Sequence, residues 1–171
     1  MRQFVALSPF VVIGSATADG MDVTPRGDRP GFVHVIDDST LLLPDWPGNN
    51  RLDTLTNLAS NPQIGLLFFI PGVNETLRVN GVAAISLEPA LLQRWEVGGK
   101  QPKSVLSVSV REAFLHCGKA LIRSRLWSGD YAIERDRLPS YGQMLKDQIE
   151  TPQTAEEIQA SVVDGYKTRL Y

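Results

Sequence analysis

The sequence predicts a small, mainly β (α+β) domain: a barrel of six or seven short strands trimmed with short helices. Three observations carry this expectation. Runs of β-branched, aromatic and aliphatic residues only four to ten long recur through the first two-thirds of the chain. Turn-forming pairs such as Asp19-Gly20 and Pro71-Gly72 separate them. Helical periodicity stays in short stretches until residue 141.

The elements follow in order. Phe10–Ile13 is a β-branched run that continues through Gly14–Thr17, and Asp19-Gly20 predicts a hairpin, because both residues tolerate positive φ. Met21–Thr24 is the return strand, and Pro25, lacking an N–H, is expected to end its regular pairing. Phe32–Ile36 and Thr40–Leu43 form a second hairpin around Asp37-Asp38-Ser39. Ile64–Ile70 is apolar on both faces, as a central strand must be, and Thr76–Ile85 pairs back after Pro71-Gly72. Ser104–Val110 alternates Ser with Val or Leu, the period of a half-buried strand. A helix is expected over Arg51–Ser60, capped by Asn49 or Asn50 and stopped at Asn61-Pro62. Pro89–Trp95 is a second helix, and Lys119–Trp127 reads as a third or as a strand. From Tyr141 the chain is helical in two pieces, the second opened by a Thr154-Ala-Glu-Glu157 start box.

Composition narrows the function. The 171 residues fit one main domain, and the 43% hydrophobic fraction supports a core. A formal charge of −2 lacks the basic excess of a nucleic-acid binder. One cysteine and two histidines argue against a disulfide framework and against a Cys- or His-based metal centre. No apolar run has the length of a membrane span, so a cytoplasmic protein is expected. Cys117 beside His116 reads as a small buried hydrophobe rather than a nucleophile.

No standard catalytic motif is present, and polar clusters at strand ends and turns are the candidates. Thr24, Pro25 and Arg26 open a shaped Gly- and Pro-rich connection that either presents an Arg to an anion or pairs Arg26 with Asp28 on the surface. Asn49, Asn50 and Arg51 feed a helix start, where unpaired N–H groups and the dipole favour a phosphate. Arg there is mildly unfavourable without an anion; a capping Asn and a solvated Arg are the plainer reading. Thr76, Arg78 and Asn80 share one strand face, opposite Leu77 and Val79. Lys119 and Arg123, four residues apart, repel each other on a helix unless an anion joins them, and Trp127 either stacks on a ring or fills a core.

In order, the segments Asp22–Asp28, Pro30–Val33, Leu43–Asp53, Asn61–Phe69, Pro71–Gly81 and His116–Trp127 resemble the pyridoxamine 5′-phosphate oxidase-related, FMN-binding split-barrel proteins. The resemblance spans roughly residues 8–130 and lies with the branch apart from the vitamin-forming oxidases. Their Ser-Arg-Lys phosphate clamp is replaced here by Asn49-Asn50-Arg51-Leu52-Asp53, and no histidine lies beyond His116 for their C-terminal Arg-x-His motif. The resemblance implies a six-stranded split β-barrel, assigned to residues 1–140, and the helical pattern beyond it makes 141–171 an extension. It also implies a homodimer holding FMN in grooves at the subunit interface. On that reading Thr24, Pro25 and Arg26 lie along the flavin, and Asn49, Asn50 and Arg51 face its phosphate. Thr76 and Arg78 lie near the ring or ribityl chain, and Lys119, Arg123 and Trp127 complete the site from the other subunit. The implied activity is an FMN-dependent oxidoreductase acting on a nicotinamide or small organic substrate. A non-catalytic flavin-binding dimer and a scaffold with a decayed site are the alternatives. The residues are suited to the cofactor, since FMN needs a phosphate anchor, a polar rim and a flat apolar wall.

Overall fold

The computed structural model describes every residue except Asn49 and Asn50. The described chain falls into two compact units, Met1–Ser128 and Gly129–Tyr171.

The first unit is built on seven antiparallel strands: β1 (Phe10–Ala16), β2 (Met21–Gly27), β3 (His34–Val35), β4 (Thr40–Asp45), β5 (Gln63–Phe69), β6 (Thr76–Ser86) and β7 (Ser104–His116). Their order in the sheet is β2-β1-β5-β6-β7-β4-β3. All seven fall on predicted runs, one more than the six strands of the implied barrel, and β3 keeps only two residues of the expected Phe32–Ile36. Helices α1 (Arg2–Leu7), α2 (Asp53–Ser60), α3 (Pro89–Leu92) and α4 (Lys119–Arg123) lie between or beside them.

Alternation decides which face is core. Val11 and Ile13 of β1, Ile64, Leu66 and Phe68 of β5, and Leu77 and Val79 of β6 all turn inward and are buried. Each such side chain contributes about 1.5–3 kcal/mol of burial. On the far side of β4 and β7, Leu42 and Val105 form a second cluster with Trp95, against which Leu91 and Leu92 of α3 pack.

Several local expectations are corrected. The first hairpin closes with the Thr17 N–H donating to the Gly20 carbonyl at 2.8 Å, so Ala18-Asp19 is the turn centre and Gly20 needs no positive φ. Pro25 does not end β2; it pairs opposite Val12, and the strand runs on to Gly27. The Thr17–Gly20 bond and the Asp28 N–H to Pro9 carbonyl bond (3.1 Å) fix the parity, which makes Val12–Pro25 a non-hydrogen-bonded pair. The missing N–H therefore faces the open edge of an edge strand, where it costs no ladder bond. Strand β7 extends past Val110 to His116: opposite Asn80/Gly81 it carries one extra residue, Arg111, and beyond this bulge it pairs with β6 again. Cys117 lies outside the strand and is exposed, not buried.

In the second unit, α5 (Tyr141–Lys146) and α6 (Ala155–Thr168) pack together. Thr154 and Glu157 form the complete reciprocal capping box at the start of α6. Gly142 lies so close to α6 that a Cβ there would overlap the Ala155 carbonyl. No helix among the described residues is long and apolar enough to cross a membrane.

Candidate functional site

Strand β2 has reversed polarity. Asp22, Thr24 and Arg26 alternate toward the interior side, whereas Met21 (79% exposed), Val23 (67%) and Pro25 face out. The polar side is used. Asp22 accepts from the buried Thr54 hydroxyl in the first turn of α2 at 2.8 Å. Thr24 accepts from Arg26 Nη1 at 2.7 Å, and the Pro25 carbonyl accepts from the same nitrogen at 2.9 Å. Arg26 Nη2 reaches Asp45 Oδ1 on β4 at 3.5 Å, so its ion pair is with Asp45 rather than with Asp28. Asp28 instead accepts from the Arg29 N–H. Burial pushes the Asp45 carboxyl upward, against the opposing pull of Arg26 and a 3.5 Å bond from the Ser104 hydroxyl.

Helix α2 begins later than expected, at Asp53, with Leu52 as an N-cap that offers no side-chain bond. Asn49 and Asn50, expected as caps and phosphate contacts, lie outside the described residues. The expected cation mismatch at the helix start is resolved by Asp53, whose Oδ2 accepts from Arg51 Nε at 2.9 Å. An acid in the first turn suits the helix dipole, and Arg51 stands two residues before the helix. Farther along α2, Asn57 and the following Asn61 bond back to Ser15 and Ala16 of β1. These bonds tie the end of α2 to β1, while Thr54–Asp22 ties its first turn to β2, the strand that carries Arg26.

Thr76, Arg78 and Asn80 share the outer side of β6, as their spacing predicts. Arg78 lies over the Phe114 ring at 5.0 Å, and Asn80 donates to Glu112 at 2.6 Å. Strand register sets Pro25, Val12, Leu67, Arg78 and Phe114 in one row across this side. Thr76 is buried, whereas Arg78 is exposed.

The Lys119–Trp127 segment is helical only over Lys119–Arg123 and then turns, with Arg125 at φ 48°. Lys119 and Arg123 are exposed. The Trp127 indole donates to the Val73 carbonyl at 2.9 Å, which brings it to the loop just ahead of Thr76. Within one chain the structure thus gathers Thr24, Pro25 and Arg26 near the α2 start, and Trp127 near the head of β6. It does not gather Arg26 with Arg78, which lie on opposite sides of the sheet. Asp45 and Phe114 were not among the sequence candidates. An acid at a strand end has ordinary surface roles, and only the closure of the sheet makes Asp45 a partner of Arg26.

A curled antiparallel sheet whose first strand, β2, reaches β4 near its other end through Arg26–Asp45, with short helices at its margins, is a split barrel. The chain belongs to the pyridoxamine 5′-phosphate oxidase family, whose profile matches residues 1–117. Among solved structures, HupZ from Group A Streptococcus is similar at 18% identity and a TM-score of 0.55, over 67% of this chain and 90% of HupZ. A histidine-to-alanine variant of HupZ gives 19% and 0.56, over 68% and 96%. A candidate pyridoxamine 5′-phosphate oxidase from Lactobacillus delbrueckii gives 19% and 0.51, over 67% and 92%. At these identities the likeness is one of fold. No curated protein matches the chain.

Proposed function

We propose that two copies of this chain hold FMN at their shared interface, and that the pair is a cytoplasmic oxidoreductase. It would pass electrons or a hydride between a nicotinamide or small organic substrate and the flavin. Within a chain of this family, the observation that carries the reading is the reversed polarity of β2. Its outward Met21, Val23 and Pro25 make an apolar edge suited to a second copy, while Arg26 beside it supplies a cation.

The residues present fit the cofactor. Arg26 is held by three acceptors, only one of them a carboxylate, so its fork is oriented before a phosphate arrives. The first-turn amides of α2 have no side-chain cap, and Asn49, Asn50 and Arg51 complete the anchor. Arg78, steadied on Phe114, and Thr76 serve the ring and ribityl chain across the interface. Lys119, Arg123 and Trp127 of the second copy close the groove, and the apolar row around Val12 and Leu67 excludes water from it. When bound, FMN supplies the redox chemistry, and the chain's own residues bind, orient and shield it. No side chain is assigned as acid or base.

Titration with FMN, followed by quenching of flavin fluorescence, tests the reading. Saturable quenching is expected, and Arg26→Ala should weaken binding about tenfold or more, the loss of a charge-assisted contact. Absence of FMN uptake overturns the proposal. Flavin binding with no turnover of NADH or NADPH would select the non-catalytic alternative.

A further inference from the structure

A second cationic pocket lies in the first unit and shares no lining residue with the candidate site described above. It is a cleft of about 510 Å³ lined by Arg2, Gln3 and Ala6 of α1, the Gly31 and Val33–Val35 stretch, and Arg94. Two of the lining residues are arginines and none is acidic, in a chain whose formal charge is −2.

Its geometry is built from the core outward. The buried Trp95 is fixed by its indole N–H, which donates to the Phe32 carbonyl at 2.7 Å. The His34 ring stacks on Trp95, with centroids 4.2 Å apart and planes 17° off parallel. Arg94 Nε donates to His34 Nδ1 at 3.3 Å. An accepting Nδ1 carries no proton, so the ring is neutral with its hydrogen on Nε2. Burial and then the Arg94 charge hold the imidazole below its ordinary value, in keeping with that state. Arg94 has no carboxylate partner among the described residues. Arg2 pairs with Asp38, but both side chains are largely exposed, and such a surface pair is worth little and is readily exchanged.

A guanidinium anchored by a stacked neutral histidine, with a second guanidinium on the same cleft, offers donors suited to an anion. Of the remaining lining, Ala6, Val33 and Val35 are apolar and Gln3 is polar. We propose that this pocket binds a small molecule ending in a phosphate monoester or a carboxylate, with its apolar body against Ala6 and Val35. Arg94 and Arg2 are the oxyanion contacts, and His34 Nε2–H is the third donor. None of its lining residues is among those assigned to the flavin.

The test follows the His34 imidazole resonances by NMR at pH 7.5 and constant ionic strength. Phenyl phosphate, benzoate and inorganic phosphate are titrated separately. A saturable shift with phenyl phosphate or benzoate is expected, and the tighter of the two assigns the terminal group. Arg94→Gln should weaken it about tenfold and Arg2→Gln by a smaller factor, with FMN affinity unchanged in both. Arg94→Lys, which keeps the charge but loses the fork, covers the case in which Arg94→Gln perturbs the fold, and should still bind more weakly than the parent. No saturable shift with any probe overturns the proposal, as does equal binding by the parent and the Arg2 and Arg94 variants.

Discussion

Arg26 of β2 and Asp45 of β4 form an ion pair at 3.5 Å, although β2 ends the sheet order and β4 stands next to its other end. No strand pairing joins these two strands among the described residues. The pair is therefore a side-chain clasp across the open seam of the barrel. Both side chains are mostly buried, at 26% and 15% exposure, so the clasp has more weight than a surface pair. In the proposed function the same guanidinium meets a phosphate, which makes Asp45 an internal competitor for it.

Asp45→Asn separates these roles. The folded carboxyl lies above its ordinary 3.8, because burial outweighs Arg26. The folded chain then holds this proton more tightly than the unfolded chain. The group's contribution to stability is greatest below 3.8 and declines as pH rises through the folded value. Urea denaturation across pH should show that decline in the parent and not in Asp45→Asn. With the competitor neutralised, FMN affinity should rise about three- to tenfold, while Arg26→Ala should lower stability by about 1–3 kcal/mol.

The strands were legible because their evidence is local. Period-two alternation in Ser104–Val110 and apolar residues on both faces of Ile64–Ile70 mark strands without any tertiary information. The clasp was not legible, since Arg26 and Asp45 meet only after the intervening strands curl. Pro25 misled because its penalty depends on which neighbour its nitrogen faces, and that is set by sheet order. Arg111–His116 carries too little apolar alternation to mark a strand, and pairing with Thr76–Asn80 extends β7 through it. The start of α2 was misplaced by two residues because Arg51 was read as helical, whereas it bonds to Asp53 from outside.

His34 should titrate below 6.5, its ordinary value, for burial and Arg94 both disfavour the imidazolium. The unfolded chain then binds this proton more readily. The group's stabilising contribution is present above 6.5 and is lost as pH falls through the folded value. NMR titration of the His34 Cε1–H should give a low midpoint in the parent. Arg94→Gln should raise it only partway to 6.5, because burial, the larger cause, remains.

Gly81→Ala should be strongly destabilising. A Cβ there would overlap the Ser109 carbonyl and come within 3.1 Å of Val108 Cγ1, at the bulge where β6 changes register against β7. The closest obstacle is strand backbone, which cannot swing aside as a flexible side chain would. A loss of about 2–4 kcal/mol is expected by urea denaturation, in the range of severe core substitutions.

Native mass spectrometry after saturation with FMN tests the central claim most directly, because one spectrum reads chain count and flavin count together. The account predicts a particle of two chains carrying two FMN. A single-chain particle, or a pair that retains no flavin, would contradict it.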